Sequence, residues 1–307
     1  MDILLQQLIN GLVLGSVYAL IALGYTMVYG ILELINFAHG EITMIGAMLA
    51  LAVITHLAGS GLPVPIVLLA GLLTAMAGCS VLGYAIERVA YRPLRHAPRL
   101  APLITAIGVS IVLQNLAMLI WGREYISFPP LLPQGWFDVH GARVTDVQLI
   151  ILVTAGILML VLDNLVRRTS LGRAMRATAQ SPQLAGLMGI DANHIISLTF
   201  ILGSALAAIG GFLVSAYYGL AHYYMGFLLG LKAFSAAVLG GIGNLRGAML
   251  GGLLLGVIES LGAGYIGSLT HGVFGSNYQD VFAFLVLIAV LIIRPAGLLG
   301  QNTADRA

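Results

Sequence analysis

Of the 307 residues, 59% are hydrophobic and 8% charged, the formal net charge is +2, and the mean hydropathy is +0.99, a balance that points to a lipid bilayer. The single lysine, Lys232, is followed by Ala233 with no Gly-rich loop before it, which excludes the phosphate-binding pattern and places any nucleotide hydrolysis in another subunit. The single cysteine, Cys79, lies in an apolar stretch and excludes an intramolecular disulfide or a thiol-rich metal site; neither redox chemistry nor a nucleic-acid partner is expected.

A helical span needs about 20 apolar residues to cross a hydrocarbon core of about 30 Å. In chain order, candidates fall at 8–30, 41–58, 63–87, 100–121, 147–166, 195–218, 226–243, 247–270 and 279–294. No basic region precedes the first, so it reads as a span rather than a cleavable signal. The segments 41–58 and 226–243 are short enough to be half-helices or re-entrant pieces, which gives eight or nine spanning or half-membrane helices in one all-α domain over 1–307.

Arginine placement orients these spans, because cytoplasmic loops retain positive charge. Arg88, Arg92, Arg95 and Arg99 crowd 88–99, and Arg167, Arg168, Arg173 and Arg176 crowd 167–176, so both loops are expected on the cytoplasmic side. Between them, 122–146 holds Arg123 and Arg143 against Glu124, Asp138 and Asp146, with Pro129, Pro130 and Pro133, as suits an irregular loop on the opposite side. Parity then puts the C-terminus inside and the N-terminus outside, the latter reversing if 31–46 is re-entrant.

Small residues at four-residue spacing mark seams where helix backbones approach closely: Gly11/Gly15, Gly226/Gly230, Gly247/Gly251 and Gly252/Gly256. A faint echo links the halves. Asn36 precedes Gly40 and an apolar run, Asn244 precedes Gly247 and another, and each asparagine is placed to cap or break a helix beside a midplane site.

A charged side chain at a membrane centre costs about 2.5–3.5 kcal/mol, so each one calls for a reason. Asp163 precedes Arg167 by four residues and Glu87 adjoins Arg88, so both read as local helix-end pairs. Lys232 and Glu259 lack local partners and are expected to meet across helices, either as a buried register pair or on a translocation path. Asn36, His39 and Glu41 crowd six residues of "LINFAHGEITMIGAML". His39 and Glu41 are too few for a zinc site, and His56, His96, His140, His194, His222 and His271 lie at scattered intervals. No nucleophile arrangement stands out, and no catalytic chemistry is expected. In "TSLGRAMRATAQSPQLAGLMGIDANHI", Ser181 and Pro182 fit the N-cap and first position of a short surface helix, a docking element rather than a plain connector.

"GLVLGSVYALIALGYTMVYGILELINFAHGEITMIGA", "IERVAYRPLR", "SLGRAMRATAQSPQLAGLMGI", "LTFILGSALAAIGGFLVS" and "GLKAFSAAVLGGIGNLRGAMLGGLLLGVIE" together resemble the permease subunit of bacterial branched-chain amino-acid ABC transporters. The resemblance covers nearly the whole chain and is weakest in 122–147 and after about 296. It implies the ABC importer permease fold in the bacterial inner membrane. It further implies a second homologous permease, a periplasmic amino-acid-binding protein, and two cytoplasmic ATPases that hold ATP and Mg, with no cofactor on this chain. Segment 169–194 matches the ATPase-contacting loop, with Arg176, Ser181, Pro182, Leu184, Ala185, Leu187 and Gly189 at or near its coupling helix. It departs from relatives at Gln180-Ser181, where an acidic residue is usual. Asn36, His39, Glu41, Lys232, Asn244 and Glu259 become candidates for the substrate path, which such transporters often leave permissive. A permease for urea or short amides is the nearest alternative; an ion-coupled carrier is opposed by the capped helix and by the lack of a carboxylate relay.

Overall fold

A computed structural model of the chain describes residues 2–95, 97–98, 100–129, 131–133, 135–270, 275 and 278–300. Arg99, Pro130, His96 and His271 lie outside the described residues. The helices are α1 (Asp2–Leu32), α2 (His39–Leu57), α3 (Val64–Ile86), α4 (Leu100–Trp121), α5 (Asp146–Arg168), α6 (Ser170–Gln180), α7 (Pro182–Leu187), α8 (Ala192–Tyr218), α9 (Met225–Gly240), α10 (Leu245–Leu269) and α11 (Gln279–Ile293). A π turn (Glu87–Tyr91) and a 3-10 turn (Arg92–Leu94) prolong α3. Two small antiparallel ladders complete the fold: β1 (Ile126–Ser127) with β4 (Leu220–Ala221), and β2 (Trp136–Val139) with β3 (Ala142–Thr145).

All nine apolar segments form helices, and among the described residues seven helices are long and apolar enough to cross a membrane. Segment 41–58 reaches span length as the 19-residue α2, whereas α9 has 16 residues and α11 only 15, shorter than its apolar pattern suggests. Side chains from the sequence close the helix starts: Thr145 and Gln148 form a reciprocal capping box on α5, and Asp191 accepts from Asn193 and His194 on α8. Helix α8 stops at Gly219, whose φ of 70° favours glycine.

Helix α1 is the hub. From Val17 to Leu23 it is buried around its whole girth by α8, α9 and α10. The glycine pairs explain the closeness. A Cβ on Gly11 would stand 2.6 Å from Val257 Cα and one on Gly15 2.8 Å from the Gly252 carbonyl oxygen, so Gly11/Gly15 and Gly252/Gly256 are two sides of one seam. Helices α3, α4 and α5 instead turn Val81, Leu119 and Leu160 outward, an apolar exterior suited to lipid.

Hydrogen bonds sort the chain into two faces. Arg95 bonds Asn193 at 2.6 Å, joining the arginine-rich end of α3 to the segment after α7. On the same basic face, Leu298 and Leu299 donate to the carbonyls of Leu239 and Gly240, and Asn244 donates to Leu299. On the other face, Gln6 near the start of α1 bonds both backbone groups of Arg143. The start of α1 and the 294–300 segment thus lie on opposite faces.

Two local pairings give way to distant ones. Asp163 holds Arg246 of α10 through two bonds of 3.0 and 3.2 Å, not Arg167, because the fork of one arginine matches a carboxylate better than a loose neighbour on the same helix. Glu87 is fully buried; it binds Arg95 and accepts from Ser197 at 2.7 Å, not Arg88, because the π turn directs it toward α8.

Candidate functional site

Helix α1 ends where Glu33 takes a positive φ of 53°, and residues 34–38 carry the chain back as irregular backbone before α2 begins. Asn36 does not cap α2: its Oδ1 accepts from the Tyr91 hydroxyl at 3.1 Å, while its carbonyl accepts from the His39 backbone at 3.0 Å. His39 meets α1 well before that helix ends. Its Nε2 lies 3.2 Å from the Ile21 carbonyl, its ring packs edge-on against Tyr25 at 4.6 Å, and it fills the space left by Gly24. Both residues are buried and anchor the break to α1 and α3.

Glu41 is placed differently. It is 1% exposed, on the first turn of α2, and its Oε1 accepts from Gln114 Nε2 at 2.8 Å and Ser110 Oγ at 3.2 Å, both on α4. Its Oε2 has no hydrogen-bond partner among the described residues. It adjoins Gly226, where a Cβ would come within 2.6 Å of it. Glu41 borders a cavity of about 480 Å³ between α1, α2, α4 and α9, walled by Tyr25, Phe37, Ile107, Ile111, Phe227 and Phe234. Gly40 beside it packs on Gly230, whose Cβ would stand 2.8 Å from the Gly40 Cα, so the α2 break and α9 meet backbone to backbone.

Lys232 and Glu259 meet across helices at 2.7 Å, as their lack of local partners requires. Two further groups join them: Asp280 at the start of α11, 2.8 Å from Lys232, and Tyr18 of α1, whose hydroxyl donates to Glu259 at 3.3 Å. Four helices therefore converge on one cation. Sequence reasoning missed Asp280; an acid opening a short apolar helix was its signal. Asn244 lies elsewhere, accepting from Gly247 at 3.2 Å as the N-cap of α10. It borders a second cavity, about 670 Å³, on the basic face with Glu33, Arg167, Arg176 and Arg246. Of the six candidate path residues, Glu41 alone lines the cavity of about 480 Å³, and the others divide between the break, the four-helix cluster and the basic face. Among the described residues, no three His, Cys, Asp or Glu side chains gather as metal ligands would.

On the basic face, Thr169 caps α6 and Ser181 accepts from Leu184 at 3.2 Å to cap α7, with Pro182 as its first residue. Ala185 is buried, and Arg176 donates to the Val166 carbonyl, which ties α6 back to α5. Gly189 leaves the helix at φ 80°. Leu184, Leu187 and Met188 point outward at 64, 83 and 83% exposure. Met188 had not stood out in the sequence. These apolar side chains are exposed beside the arginines of α5 and α6.

Residues 7–291 match the model of a protein family described as the branched-chain amino acid transport system permease component. The chain belongs to this family. It is 50% identical, over 98% of its length and 97% of the relative's, to BraD, a high-affinity branched-chain amino acid transport system permease protein of Pseudomonas aeruginosa. The LivH permease of the same description from Escherichia coli K12 is 44% identical over the same shares. A more distant relative, the galactofuranose transporter permease YtfT of Escherichia coli, is 29% identical over 90% of this chain and 76% of its own. The arrangement above is accordingly that of a multi-pass transport permease.

Proposed function

We propose that this chain is a permease subunit of an ATP-driven importer of branched-chain amino acids. The 50% identity to BraD over nearly both full lengths carries the substrate assignment, since the distant galactofuranose permease makes family membership alone too coarse for it. The chain works with a second homologous permease, a periplasmic amino-acid-binding protein and two cytoplasmic ATPases that hold ATP and Mg. The basic face, with loops 88–99 and 167–194 and the C-terminal segment, is cytoplasmic because positive loops stay inside the bacterial inner membrane.

Helix α7 is the coupling element. Ser181 and Pro182 set its start, Gly189 its end and Ala185 its anchor, leaving Leu184, Leu187 and Met188 to enter a cleft on the ATPase. Closure of the ATPases drags α7, and α6 with its Arg176 tie passes the movement to α5, while the Ile190–Ala185 bond passes it toward α8. The helices alternate between outward- and inward-facing packings.

ATP-driven uptake by the reconstituted complex tests this reading: labelled leucine is expected to accumulate, with urea and galactose excluded. Urea uptake without leucine uptake would overturn the substrate assignment. Leu187→Asp is expected to lower leucine uptake at least tenfold while the ATPases still hydrolyse ATP; unimpaired transport would remove α7 from coupling.

A further inference from the structure

The cavity between α2, α4 and α9 holds one buried carboxylate whose second oxygen faces no donor, beside aromatic and branched aliphatic side chains that are in part exposed. Ser110 and Gln114 satisfy Oε1, and both are neutral, so no resident cation balances Glu41 among the described residues. The bonds to α4 account for Oε1 and give Oε2 no partner. A buried ion without a counter-charge is costly, and a glutamine would tie α2 to α4 by the same acceptor without that cost.

Four further features fit a ligand with an ammonium group. Gly226 leaves the approach to Oε2 clear, where a Cβ would come within 2.6 Å. Tyr25, Phe37, Phe227 and Phe234 surround the same space, and ring faces attract cations in desolvated sites. Ile107, Ile111 and Leu231 supply an aliphatic wall. At about 480 Å³ the cavity falls within the range of about 300–1,000 Å³ typical of small-molecule sites, which pair an apolar lining with few polar anchors.

We infer that Glu41 Oε2 receives the α-ammonium of the transported amino acid, whose branched side chain lies against Ile107, Ile111 and Leu231. The assignment rests on the transport function proposed above. It makes Glu41 a specificity-determining residue within the membrane, which selects an amine-bearing substrate after the binding protein has released it.

Uptake of labelled leucine is compared in complete reconstituted complexes carrying the native chain, Glu41→Gln, or Gln114→Lys. The first variant keeps an acceptor for Ser110 and Gln114 but removes the charge; the second leaves the carboxylate and balances its charge with a resident ammonium from the Oε1 side, where Gln114 now bonds it. Both are expected to assemble, as judged by co-purification of the ATPases, and to lose uptake at least tenfold. Native-level uptake by either assembled variant overturns the inference and leaves Glu41 as a tie between helices. Should Glu41→Gln fail to assemble, Gln114→Lys decides alone. A native complex that accumulates no leucine would instead refute the transport reading, and the two failures are thereby distinguished.

Discussion

At the scale of single residues, the polar side chains in this fold are explained by the partner each one finds. Lys232 sits against Glu259 and Asp280, so removing its charge leaves two carboxylates facing each other in apolar surroundings. Breaking a buried pair costs about 3–5 kcal/mol, and Lys232→Met is expected to lower the thermal midpoint of the detergent-solubilised complex by several degrees. The exchange Lys232→Glu with Glu259→Lys is expected to recover part of that loss, checked by the same melt; Asp280 keeps the recovery incomplete. Lys232 and Glu259 were legible as a pair because neither had a neighbour of opposite sign within a helical turn. Asp163 and Glu87 misled for the complementary reason. Each had an arginine close by in sequence, and nothing local announced Arg246, Ser197 or the π turn that turns Glu87 inward.

At the scale of elements, close approach decides which helices pair. Gly15 sits against Gly252 and Leu253 with no room for a side chain, whereas Gly156 on α5 faces open space within 4 Å. Gly15→Leu is expected to reduce membrane-integrated, folded protein several-fold while Gly156→Leu leaves it unchanged, as measured by fluorescence-detected size exclusion. The four-residue spacing revealed these seams, since small-xxx-small faces have a geometric meaning in lipid. It could not say which seams face one another, because that depends on tertiary arrangement. The break at 33–38 was legible from Asn36 and Gly40, but of the two roles expected of Asn36, capping or breaking a helix, it does not cap α2: Tyr91, more than fifty residues away, claims its side chain.

At the scale of the whole molecule, the two faces make an orientation experiment clean. Cys79 is buried, so a membrane-impermeant maleimide meets little native background. Tyr125→Cys lies on the face of Arg143 and Gln6, and Met188→Cys on the basic face; both native side chains are well exposed, at 67 and 83%. Tyr125→Cys is expected to label in spheroplasts and Met188→Cys only after the inner membrane is opened. The reverse pattern would invert the topology. The apolar helices were readable because hydropathy is summed over long segments and tolerates local error, and the arginine bias behind the face assignment is what the labelling experiment tests. The cavity beside Glu41 was not readable, since Glu41, Gln114, Gly226 and Phe234 are brought together from three helices far apart in the chain.

The sole lysine is locked between two acids, with 12% of its side chain exposed. Amine-directed reagents, such as the succinimidyl esters used in cross-linking mass spectrometry, therefore find no free ε-amino group on this subunit. A distance map of the assembled transporter built on lysine cross-links would carry few or no restraints to this subunit, and carboxyl-directed chemistry at Glu124 or Asp138 is the practical way to place it among its partners.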